Sequence, residues 1–199
     1  MPAELPDLLL PDAVAWRAWL REHHADSSGV RLILGKKGGT LTTLDYDSAL
    51  DEALCFGWID GQVGRRDAES YYQRFTPRGP RSNWSLRNVG HIARLESEGR
   101  MHPAGRAAVQ SAKADGRWDR AYAGPASATT PADLLEAIAA VPSAQAMFDV
   151  LSSQNRYALY FRLSQLKPGE ARERKIAAFV DQLARHETPY PQQRGPAER

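Results

Sequence analysis

The sequence predicts a helix-dominated α+β fold: a small antiparallel sheet, with strands near 30–34, 58–66 and 70–76, packed with N-terminal helices and followed by a helical C-terminal half. Three features of the 199 residues lead there. Apolar residues recur at helical spacing over 12–23 and 45–54, the period shortens towards two over 58–76, and helical spacing returns from residue 131 onward.

Asp12 is placed to cap a first helix in which Trp16, Trp19, Leu20 and His23 fall on one stripe, with Gly29 as its stop. Val30–Leu34 is a short apolar strand, and Gly35-Lys36-Lys37-Gly38-Gly39 reads as a flexible turn. That glycine–lysine run lacks the spacing of a phosphate loop and the hydroxyl residue after its lysine. A second helix starts at Asp45, buries Tyr46, Ala49, Leu50, Ala53 and Leu54, and ends with Gly57 at its C′ position. The alternation over 58–66 and 70–76, joined through Asp67-Ala68-Glu69, is that of a hairpin. With Ile59, Val63, Tyr71 and Phe75 facing the core, the opposite face presents Trp58, Asp60, Gln62, Tyr72, Arg74 and Thr76.

Pro77-Arg78-Gly79-Pro80-Arg81 stiffens the following loop, and Ser82 is the expected N-cap of a helix running to about Glu98. Pro103 opens another helix to about Asp115. Thr130-Pro131-Ala132-Asp133 starts the C-terminal set, expected at 131–140, 143–151, 154–166 and 169–186. In the last of these Ile176, Phe179, Val180 and Leu183 form the buried stripe, with Arg172, Glu173, Arg174 and Lys175 solvated. The domain expectation is an α+β domain over 1–118, a linker or strap over 119–130, a helical region over 131–187 and a disordered tail over 188–199.

A net charge of +2 is far from that of a dedicated nucleic-acid binder. Its distribution is uneven. Between Arg65 and Arg87 stand arginines 65, 66, 74, 78, 81 and 87 against Asp67 and Glu69, so this segment alone carries +4. Few of the basic residues are lysine, and guanidinium groups favour planar or bidentate anions and stack on aromatic rings. Trp58, Asp60, Gln62, Tyr72, Arg74, Arg78, Ser82, Trp84 and Arg87 are therefore the candidate site residues, a surface suited to a small anionic or aromatic molecule. Two other uses of it are an enzyme with Asp60 as acid or base beside Arg74 and Arg78, and nucleic-acid binding through the arginine loop, which the low total charge disfavours. A purely structural use pairs Arg74 with Asp60 across the sheet, which would keep Asp60 ionised.

Cys55, the single cysteine, lies in an apolar run and reads as a buried structural thiol; no internal disulfide can form. His23 and His24 are adjacent, and His91, His102 and His186 stand apart, so no metal site and no cofactor is expected. No Gly-x-Ser-x-Gly elbow is present. Met1–Leu10 carries no basic region and only a short leucine run, so neither an export signal nor a membrane span is expected, and the expected compartment is the cytoplasm.

The runs Ala53-Leu54-Cys55-Phe56-Gly57-Trp58-Ile59-Asp60-Gly61, Tyr72-Gln73-Arg74-Phe75-Thr76-Pro77-Arg78 and Ser82-Asn83-Trp84-Ser85-Leu86-Arg87-Asn88 resemble the YdeI/OmpD-associated (OmdA) family of bacterial proteins. Asn155-Arg156-Tyr157-Ala158 and the arginine-rich helix after Pro168 resemble the same family's second half. The resemblance implies protection against bacteriocins and cationic antimicrobial peptides and association with a porin, and it brings no reaction with it. A cationic peptide does not suit the positive segment at 57–88, so protection against one is expected to act indirectly, or through acids elsewhere such as Asp45, Asp47, Asp51 and Glu52.

Overall fold

A computed structural model describes residues 5–196. The chain forms two compact units: one runs to Ser82 and resumes over Asn88–Asp119, the other comprises Asn83–Arg87 and the chain from Arg120 onward. The first is α+β and the second is built of helices, which is the predicted fold class.

In the first unit the strands β1 (Asp7–Leu9), β2 (Val30–Gly35), β3 (Trp58–Arg65) and β4 (Ser70–Pro77) form one sheet in the order β1-β2-β4-β3. The hairpin and the β2–β4 pair are antiparallel, as expected, but β1 runs parallel to β2, so the sheet is mixed. The three residues of β1 are too few to show a period in the sequence.

Asp12 caps α1 (Ala13–His23), its carboxylate accepting from the Ala15 N–H at 2.8 Å. Trp16 and Leu20 are fully buried, and Trp19 stacks on Trp16 at 5.2 Å. α1 ends at His23, six residues before the predicted stop; Gly29, at φ 137, instead leads directly into β2. Asp45 caps α2 (Tyr46–Cys55), and Gly57, at φ 77, reverses the chain into β3 as predicted.

The alternation of β3 departs from the prediction. Trp58 is buried, Val63 is 69% exposed, and a bulge lies between Asp60 and Val63. Residues opposite one another in an antiparallel pair share a face. Asp60 opposes Phe75, which opposes Val30, so Trp58, Asp60 and Phe75 face the side on which Trp16 packs, with Trp16 ring distances of 6.2 Å to Trp58 and 5.8 Å to Phe75. Ile59, assigned inward from the sequence, lies opposite Thr76 on the outer face. The large Trp58 ring claims the core position, and the extra bulge residue absorbs the resulting shift by one.

α3 (Leu86–Ser97) begins later than Ser82. The backbone before it is already paired: Tyr122 N–H donates to Trp84 O at 2.9 Å and Leu86 N–H to Tyr122 O at 2.8 Å, so residues 84 and 85 are held extended against the segment read as a linker or strap. Ser82 instead closes a turn, its hydroxyl accepting from the Gly79 N–H at 3.1 Å.

One buried acid joins the helices of the first unit. Glu52, on α2, is 6% exposed and accepts from Arg17 of α1 at 2.5 Å and from Arg100 at 2.7 Å. Arg100 lies between α3 and α4 (Pro103–Ala114). Burial alone would lower the pKa of either arginine, but the hydrogen bond to Glu52 outweighs it and raises both. Beside it α4 crosses α2 so closely that a Cβ on Gly105 would stand 2.1 Å from the Cys55 carbonyl oxygen.

In the second unit α5 (Ala132–Ala139), α6 (Pro142–Asp149), α7 (Ser153–Ser164) and α8 (Glu170–Ala184) enclose a core around Leu134, Phe148, Leu159, Phe179 and Leu183. Part of the tail expected to be disordered is tied to α7. The buried Asn155 carboxamide accepts from the Tyr190 N–H at 2.9 Å and donates to Gln192 at 2.8 Å. A buried carboxamide requires such partners, and the tail backbone supplies them.

Replacing Glu52 with Gln leaves two guanidinium groups with a weakened partner, so a loss of about 3 kcal/mol is expected in denaturant unfolding. Gly105→Ala forces backbone apart and is expected to cost about 3 kcal/mol, against little change for Gly124→Ala, where a Cβ meets nothing within 4 Å. His102 Nδ1 accepts from the Ala104 N–H at 3.3 Å at the start of α4. Burial, then the neighbouring His24, Arg106, Arg17 and Arg21, lower its pKa. The neutral form is favoured in the folded state, so its stabilising contribution is complete above the ordinary histidine value of about 6.5 and falls as pH drops through that value. His102→Asn keeps an acceptor for Ala104 and should flatten the decline of melting temperature between about pH 7 and pH 5.

Candidate functional site

The residues chosen from the sequence do not converge on one face. Trp58 is a core side chain whose Nε1 donates to the His24 carbonyl at 3.1 Å. Asp60, on the same helix-covered face, accepts from the Tyr46 hydroxyl at 2.9 Å. Tyr72 and Arg74 lie on the opposite face with Arg31, whose guanidinium sits 4.7 Å from the Tyr72 ring and is paired with Asp7 at 2.6 Å. The Arg74–Asp60 pair does not form, because the bulge places the two side chains on opposite sides of the sheet.

Gln62 lies exposed in the bulge, and the Arg74 stem runs past Gly61 where a Cβ would meet it at 3.3 Å. Arg78, in the loop after β4, donates its backbone N–H to Gly57 O at 2.9 Å. Ser82 belongs to the first unit; Trp84, which is buried, and Arg87 belong to the second.

The acids named for a cationic partner are largely engaged. Asp45 caps α2, and Glu52 is clamped by its two arginines. Burial pushes the Asp51 carboxyl up, but hydrogen bonds from Arg94 and His91 outweigh this and hold it below its ordinary value. Burial raises the Cys55 thiol above its usual range, which disfavours the thiolate a nucleophile needs. Among the described residues no group of three or more His, Cys, Asp or Glu side chains could hold a metal ion.

A concave site lies in the second unit, between α5 and α8, with a volume of about 670 Å³. Ala137 and Ala140 form one wall and Ala177 the other, while Ile176 and Val180 form an apolar floor. Alanine at facing positions leaves a gap that larger side chains would fill. The rim carries Asp133, Glu173 and Asp181 against one cation, Arg172. Arg172 is committed: Nε and Nη2 form a fork on Asp133 at 2.6 and 2.9 Å, and Nη1 donates to the Leu163 carbonyl at 2.8 Å. That hydrogen-bonded fork holds the Asp133 carboxyl below its usual range and raises Arg172.

Glu173 and Asp181 are exposed and form no ion pair among the described residues, so the rim is acidic. The sequence marked this helix only for its buried stripe and its solvated charges. Its signal was the small residue Ala177 at the edge of that stripe, facing Ala137 on α5.

No helix among the described residues is long and apolar enough to cross a membrane. No curated protein and no solved structure shows significant similarity to the chain. Residues 8–108 match the family model described as Domain of unknown function (DUF8412), and this stretch holds the N-terminal runs through Asn88. Residues 127–186 match the model described as Bacteriocin-protection, YdeI or OmpD-Associated, and this stretch holds Asn155-Arg156-Tyr157-Ala158 and both walls of the groove. The chain thus belongs to the family of the DUF8412 domain and carries behind it a domain of the bacteriocin-protection, YdeI or OmpD-associated (OmdA) family.

Proposed function

We propose that the protein acts by binding rather than by catalysis, and that the groove between α5 and α8 receives one face of a cationic, amphipathic peptide helix. The observation that carries this is the combination of an apolar floor with an acidic rim at a single concave site. An amphipathic helix laid in such a groove places its apolar face on Ile176, Val180 and the alanines, and its lysines beside Glu173 and Asp181. The volume lies within the range of sites that bind drug-sized ligands and suits two or three side chains of such a helix.

The description of the family matched over residues 127–186 supports the link to bacteriocin protection. A cytoplasmic setting belongs to the same proposal, supported by the free, buried Cys55.

A fluorescently labelled leucine–lysine helical peptide of about 14 residues, long enough to span the groove, serves as the probe. Anisotropy titrations should show binding that weakens with added salt. Glu173→Lys combined with Asp181→Lys should weaken it about tenfold, or about 1.4 kcal/mol. Ala177→Trp should abolish binding by filling the groove. All three positions are exposed, so circular dichroism should be unchanged. Equal binding of a leucine–glutamate peptide, or unchanged affinity in both variants, would overturn the proposal.

A further inference from the structure

A second cavity of the helical unit, of about 160 Å³, lies between the segment preceding α5 and the first turns of α7. Its walls include Pro125 and Ala128, and its polar lining consists of Thr130, Ser153, Arg156, Tyr157 and Tyr160. Every polar side chain in that lining is a hydroxyl or a guanidinium; none is a carboxylate.

Arg156 is held by backbone carbonyls and an aromatic ring. Its Nη2 donates to the carbonyls of Phe148 at 2.7 Å and Asp149 at 3.1 Å, and its Nε to Leu151 at 3.3 Å, while its guanidinium carbon lies 4.3 Å from the centre of the Phe148 ring. These contacts satisfy carbonyls at the end of α6 and fix the plane of the guanidinium, but none carries a full negative charge. Among the described residues Arg156 forms no ion pair, and its Nη1 has no hydrogen-bond partner.

The hydroxyls of Thr130 and Ser153 are likewise unengaged among the described residues. Tyr160 accepts from the Ala123 N–H at 2.7 Å and keeps its own proton to donate, whereas Tyr157 donates to the Ala123 carbonyl at 3.3 Å.

We propose that this cavity binds a phosphate group, as inorganic phosphate or as the terminus of a small phosphomonoester, with Arg156 supplying the charge and Thr130, Ser153 and Tyr160 the remaining donors. A cavity of this size holds about five water volumes, enough for a phosphate and little more. The donor set separates phosphate from carboxylate. A carboxylate is best met by the two parallel N–H groups of an arginine fork, and Arg156 has committed one arm of its fork to backbone. Donors spread over one guanidinium nitrogen and three hydroxyls fit an anion whose oxygens point in several directions. The site is separate from the α5–α8 groove and does not depend on peptide binding there.

The test is calorimetric titration of the full chain with inorganic phosphate, glycerol phosphate and acetate at matched ionic strength. Both phosphates should bind at one site per chain and acetate about tenfold or more weakly. Tighter binding of glycerol phosphate identifies an esterified phosphate as the ligand, and tighter binding of inorganic phosphate identifies the free ion. Ser153→Glu places a carboxylate in the cavity at the first residue of α7, where a negative charge favours the helix, so its melting temperature should be kept while phosphate binding is lost. Thr130→Val removes one donor and should weaken binding several-fold, providing a second readout if Ser153→Glu fails to fold. Absence of binding by either phosphate, acetate binding as tightly as phosphate, or unchanged affinity in the folded variants would overturn the assignment.

Discussion

Glu52 is a carboxylate in the interior of the first unit, and the placement of the elements around it follows from the need to neutralise it. An isolated charge there would cost several kcal/mol, so α1 must bring Arg17 and the chain between α3 and α4 must bring Arg100 to the same two oxygens. That clamp fixes α2 against its neighbours. The close crossing of α4 at Gly105 leaves α2 no freedom to slide along its axis. Three residues after Cys55, beyond the Gly57 turn, Trp58 therefore enters the core beneath Trp16 whatever the alternation of the strand that follows. The register of β3, the bulge after Asp60 and the separation of Asp60 from Arg74 are downstream of that placement.

This order of causes explains what was legible in the sequence. The bounds and apolar stripe of α2 could be read, because Asp45, the stripe through Leu54 and Gly57 are local signals that agree with one another, but the burial of Glu52 could not. β4 could be read for the same reason, with Tyr72 and Arg74 outward and Phe75 inward. β3 could not. Its faces depend on where a distant helix delivers Trp58, and a bulge inverts alternation without a mark of its own in the sequence, since Gly61 and Gly64 read equally well as flexible strand residues. The start of α3 was misplaced by the same kind of non-local cause: Tyr122, far along the chain, holds residues 84 and 85 extended, and no property of Ser82 reveals that.

The candidate sites divide along the same line. Composition drew attention to the segment from Gly57 to Asn88, where arginines and aromatic rings are dense, but density measures how many charged groups a segment has and not how many are uncompensated. Within that segment Arg66 is paired with Asp67 and hydrogen-bonded to Ser70. A groove, by contrast, is an absence of side-chain volume between two helices. Ala137 and Ala177 look individually like ordinary helix formers, and only their juxtaposition makes a concavity.

The way arginine is used in this chain sharpens the point. Arg106 donates to the Met101 carbonyl at 2.6 Å, Arg117 to the Ser82 carbonyl at 2.9 Å, Arg172 to the Leu163 carbonyl and Arg156 to three carbonyls around the end of α6. The guanidinium serves as a rigid clasp for backbone oxygen, a task its planar set of donors suits better than the flexible ammonium of lysine. For Arg117 and Arg172 a carboxylate completes the clasp. Among the described residues Arg156 has the clasp and forms no ion pair, beside the unengaged hydroxyls of Thr130 and Ser153, while at the α5–α8 groove Glu173 and Asp181 form no ion pair. At these two opposite imbalances, one positive and the other negative, ligand charge would add stability instead of competing with an existing pair.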